Sequence, residues 1–136
     1  MSQADQLGYN AEKVVDLEAE LDLSRVQYLT REDNRALQEG ALTYPDFTYR
    51  HHWDIRGWTR LHLRGELIRK TTNVFASISE ADPIVSSQDP VPAPFLGSAV
   101  MTVANIAPYN GGVWILVSVN WNTPLWTAVS YLFVNP

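Results

Sequence analysis

The chain has 136 residues, the size of one domain, with 46% hydrophobic residues, 18% charged residues and a net charge of −5. That balance argues against a duplex-binding face, which needs clustered Lys and Arg, and no run approaches the ~20 apolar residues of a spanning helix. Nucleic acid and membrane insertion are therefore not expected, and the absence of cysteine leaves no disulfide framework and no thiolate nucleophile.

Taken in order, Met1 to Asp5 lack the basic start and apolar run of a signal peptide. Residues 10–39 are rich in Glu, Asp, Leu, Ala and Arg and hold neither Pro nor Gly, which predicts helix, either one or two shorter ones over 11–23 and 31–39. Asn10 can cap the start and Gly40 the end. Val14, Leu17, Leu21, Val26 and Leu29 form an interrupted apolar stripe, so residues 1–42 read as a helical arm for docking or oligomerisation that needs a partner surface.

From residue 43 the period becomes two, and 43–136 reads as one antiparallel β-sandwich, jelly-roll-like in outline. Strands are predicted at Phe47 to Trp53, Trp58 to Ile68, Val74 to Ile78, Ala99 to Asn105, Val113 to Trp121 and Trp126 to Val134, each rich in β-branched or aromatic residues. Asn110-Gly111-Gly112 signals a hairpin, Asn122-Thr123-Pro124 a break, and Ser79 to Pro94, with four prolines, an extended loop.

The last two strands are apolar on both faces. Trp114, Leu116, Tyr131, Leu132, Phe133 and Val134 are expected in the core or at a subunit contact, with Trp114 in the core. A lone sandwich would show a polar outer face on such strands, so a second layer is expected from copies of the same chain, preferably three.

From Thr59 onward the order of signals resembles the C-terminal β-sandwich modules of bacteriophage fibre, baseplate and head-decoration proteins. The resemblance rests on Leu61-His62-Leu63-Arg64-Gly65-Glu66, the loop from Asp82-Pro83-Ile84 to Pro94-Phe95, the apolar pair flanking Asn110-Gly111-Gly112, and the ending Val129-Ser130-Tyr131-Leu132-Phe133-Val134. It covers roughly residues 58–136, and it departs from fibre modules in having Asp89-Pro90-Val91-Pro92 where those often carry a Leu-Pro-x-Gly-x-x-Pro phrase. The resemblance implies a non-enzymatic structural protein on the virion surface, made in the host cytoplasm. It further implies a homotrimer docked by its arm on capsid or tail proteins, as head decoration, cement or head fibre. A tail-fibre or baseplate protein that binds host-surface carbohydrate is the alternative, and a free carbohydrate-binding module a third reading.

No catalytic residues, metal ligands or cofactors are expected. The serines lie in no strand-to-helix elbow, Asp54, Glu66, Glu80 and Asp82 have no distinguishing context, and there is no phosphate-binding glycine loop. His51 and His52, as strand neighbours, point to opposite faces, and only His52 with His62 across paired strands would offer two metal ligands. Trp53, Trp58, Trp121 and Trp126 fall at strand ends or turns, where a ring can stack on a sugar or fill the end of the sandwich.

Overall fold

The computed structural model describes residues 13–30, 44–83 and 93–136. Within them lie nine strands: β1 (Val15–Glu20), β2 (Gln27–Tyr28), β3 (Phe47–Ile55), β4 (Gly57–Arg64), β5 (Asn73–Ala81), β6 (Pro94–Phe95), β7 (Val100–Tyr109), β8 (Gly112–Asn120) and β9 (Leu125–Val134). A 3-10 turn at Leu23–Arg25 joins β1 to β2. One sheet has the order β1-β4-β8-β7 and the other β2-β3-β9-β5-β6. The pairs are antiparallel except for β1 with β4, which is parallel.

Strict alternation builds the core. On β8, Val113, Ile115, Val117 and Val119 are fully buried, and on β4 Leu61 and Leu63 join them from the same sheet. The other sheet answers with Phe47, Tyr49, Trp53 and Ile55 of β3 and Val129, Tyr131 and Phe133 of β9, all in the same cluster. Phe47 and Phe133 are register partners whose rings stack at 4.5 Å between centroids. The chain passes from one sheet to the other at Arg56, and Gly57 makes the corner with φ +70°, a conformation natural to glycine. A bulge between Val103 and Asn105 bends β7.

The mainly β architecture agrees with expectation, and all six predicted strands are present, the second ending at Arg64 rather than Ile68. The helix predicted over 11–23 is corrected: residues 15–20 are a strand. Val15-Asp16-Leu17-Glu18-Ala19-Glu20 also alternates with period two, and its register sets Asp16, Glu18 and Glu20 against Arg60, His62 and Arg64. Three acids facing three basic groups, with Leu17 and Ala19 packed on the core, outweigh helix preferences of a few tenths of a kcal/mol per residue. The second predicted helix, over 31–39, lies outside the described residues.

The stripe assigned to a docking arm is correspondingly redistributed. Val26 is a core residue and Leu17 and Leu21 pack against the core, whereas Leu29 is exposed and Val14 precedes β1. A boundary near residue 42 does not divide an arm from a domain, because β1 is a strand of the β-domain's own sheet.

Trp114 is corrected as well. It belongs with Leu116 and Ser118 to the outer face of β8 and is half-buried there. Leu132 and Val134 take the same position on β9, half-buried and outward, while Tyr131 and Phe133 point into the core.

Candidate functional site

The two ends of the molecule differ in chemistry. At one end, the connections from β4 to β5 and from β7 to β8 are tied down by hydrogen bonds. Gly65 N–H donates to Gly111 O (2.8 Å) and Gly111 N–H to Ile68 O (2.9 Å). Asn110 Oδ1 accepts from Lys70 N–H at 2.9 Å and from Arg69 Nε at 3.3 Å. Asn135 N–H donates to Asp46 Oδ1 (2.7 Å), and its side-chain amide donates to Pro45 O (2.6 Å). Arg69 bonds the Tyr44 hydroxyl and lies over its ring. Leu23 and Leu29 are exposed near this end.

The opposite end collects the ends of β3, β5 and β8 and the starts of β4, β7 and β9. Four of the five tryptophans gather here. Trp53 is buried and Trp58 half-buried, while Trp121 and Trp126 keep 43% and 45% of their surface exposed. Val15, Phe95, Leu96 and Val100 are exposed at the same end. Trp121 leaves β8 just after Asn120, its N–H donating to Val119 O, and Pro124 ends the turn before β9 begins. Trp126 is the register partner of Asp54 on the outer face of the five-stranded sheet. Polar groups therefore border both indoles: Asn120 and Asn122 flank Trp121 in sequence, and Asp54 faces Trp126.

The histidines are dispersed. His51 points inward beside Trp53, ring centroids 4.5 Å apart, and His52 points outward on the same strand. His62 lies in the other sheet, so the two-histidine pair conceived across paired strands does not form. His62 instead bonds Tyr109 Oη at 2.5 Å, approaches Glu18 Oε1 at 3.4 Å and stacks on Trp114. Among the described residues no group of three His, Cys, Asp or Glu side chains could hold a metal ion.

A second polar cluster escaped the sequence reading. His51 Nδ1, Trp53 Nε1 and Tyr131 Oη are buried without a well-formed hydrogen bond among the described residues, all on the inner faces of β3 and β9. Burial, and then the charge of Arg25, pull the His51 imidazole down to about 4. Burial pushes the Tyr131 hydroxyl far up, opposed by the nearby Trp53 N–H. The period-two run Phe47, Tyr49, His51, Trp53 was the signal, since it puts His51 on the core face with three aromatics. Compared with known proteins, the chain matches no family model, no curated protein and no solved structure.

Proposed function

We propose that this chain is a non-enzymatic protein of a bacteriophage virion surface, self-associating as a homotrimer, whose aromatic end contacts a host-surface carbohydrate. The observation that carries the reading is that exposed Trp121 and Trp126, each with polar neighbours, lie at the same end of the β-domain. Flat indoles beside Asn and Asp groups suit pyranose rings, which present an apolar face ringed by hydroxyls. The resemblance of the strand and turn order to phage fibre and baseplate modules supports the setting. A head-decoration role leaned on a helical docking arm, and with residues 15–20 in the sheet the receptor-binding role is the better supported.

Self-association draws on the outer face of the five-stranded sheet, where Phe75, 59% exposed, is the register partner of half-buried Leu132, with Val134 two residues along. A second copy covers this strip, and three weak sugar sites on one trimer gain avidity at a multivalent surface. Glycan-array screening tests the ligand: binding that disappears in Trp121→Ala and Trp126→Ala supports the proposal, and absence of any glycan signal, or signals indifferent to both variants, overturns it. Light scattering tests the assembly, with a strict monomer as the contrary result.

A further inference from the structure

Between the 3-10 turn and the start of β3 lies a groove of about 560 Å³ whose lining, among the described residues, is nine residues, none of them acidic, in a chain whose net charge is −5. Two guanidinium groups flank it, Arg25 and Arg50, with Ser24, Gln27, Thr48 and Ser130 supplying further donors. Each arginine is held in place by one hydrogen bond. Arg25 Nη2 donates to Arg50 O at 2.8 Å, and Arg50 Nε donates to Ser130 Oγ at 2.9 Å. A guanidinium has five N–H donors, so both retain donors for a ligand.

Tyr49 and Tyr131 also border the groove, with their rings turned to the core face. Arg25 packs over the Tyr49 ring at 5.5 Å, which fixes its stem beside the opening. The adjacent carboxylate, Asp22, is turned onto Ser24, whose N–H and Oγ donate to it at 3.0 and 2.6 Å.

We propose that this groove is a binding site for a small oxyanion, a carboxylate or phosphate group, clamped between Arg25 and Arg50. Planar guanidinium forks match the paired oxygens of such groups, and charge-assisted bonds are the stronger class. The site lies near the hydrogen-bonded end, away from Trp121 and Trp126, and does not depend on the carbohydrate reading.

The test is an NMR titration of the intact chain with sodium glucuronate, with inorganic phosphate, and with methyl glucoside as a neutral control. One or both anions shift the Arg25 and Arg50 side-chain N–H resonances, and the neutral sugar does not. Arg50→Gln weakens binding by about tenfold or more, and Ser130→Ala, which keeps the guanidinium, retains most of it. A response to glucuronate alone assigns a carboxylate ligand, and to phosphate alone a phosphate. If neither anion shifts these resonances, or if Arg50→Gln binds as well as the parent, the site is refuted. Thermal melting of each variant separates lost binding from lost fold.

Discussion

His62 lies flat on Trp114, ring centroids 4.0 Å apart and planes inclined by 9°, on the outer face of the four-stranded sheet. The two are register partners across β4 and β8, and Tyr109 Oη caps the imidazole. This small outer cluster explains why Trp114 is half-buried without belonging to the core. It implies that Trp114→Ala costs about 1–2 kcal/mol in urea unfolding, whereas Phe133→Ala, which empties a fully buried ring site, costs about 3–5 kcal/mol. Equal losses would contradict the assignment of Trp114 to the outer face.

The same inside–outside rule separates two neighbours on β9. Phe133→Asp buries an unpaired charge and should yield no folded protein. Leu132→Asp places its charge on a half-buried outer position, so the chain should fold while any assembly through that strip is lost. Circular dichroism and light scattering on the two variants check both halves of the statement.

Strand β1 is held by charge as well as by packing. Arg60 Nε and Nη2 donate to the two oxygens of Asp16 at 2.6 and 3.2 Å, and Arg64 Nη2 approaches Glu20 Oε1 at 3.3 Å. Both pairs are partly exposed, so a double-mutant cycle on Asp16→Asn and Arg60→Gln should return a coupling of about 0.5–1 kcal/mol. That coupling should shrink in 1 M salt, where screening acts over about 3 Å. A salt-independent coupling would point to shape rather than charge.

His51 makes stability depend on pH. Its imidazole is depressed to about 4 in the fold, against an ordinary 6.5, so the unfolded chain binds the extra proton between those values. Stability contributed by keeping the ring neutral is therefore complete above pH ~6.5 and declines as pH falls toward about 4. Allowing for the ring's partial exposure, the loss is roughly 1–2 kcal/mol. In His51→Gln the fall between pH 6.5 and 4 should be smaller than in the parent, measured by urea midpoints across that range.

Two glycines give opposite expectations. A Cβ on Gly112 would meet Leu63 O and Tyr109 Oη at 2.7 Å, and the first is backbone that cannot step aside, so Gly112→Ala should cost about 1–3 kcal/mol. Gly57 has open space around its missing Cβ and only its φ of +70° to satisfy. Gly57→Asn should therefore cost less than Gly112→Ala, since Asn tolerates that region better than other side chains. Thermal melts of the pair decide the order.

Six of the seven described strands from Phe47 onward were legible because alternation of apolar and polar residues is a local code for which face is buried, whereas the two-residue β6 lies where an extended loop was expected. The Asn110-Gly111 turn was legible for a different local reason, since Gly111 takes a φ of +117° that favours glycine. The acidic segment at 15–20 satisfied both periods, and its choice of strand depended on Arg60, His62 and Arg64, some 44 residues away, which no local pattern announces.

Sequence by itself determined the class of fold, since period-two hydrophobic runs broken by Gly and Pro leave a chain this size little alternative to stacked sheets. Tertiary structure alone decided which of two apolar faces on β8 and β9 lies inside. Both faces carry residues that would bury well, and only the facing sheet selects one: Phe47, Tyr49 and Ile55 of β3 for β8, and Leu61 and Leu63 of β4 for β9. It also decided the candidate sites: the Arg25 guanidinium reaches the Arg50 carbonyl, and the exposed tryptophans share one end, through strand order, a long-range property fixed by packing rather than by neighbouring residues.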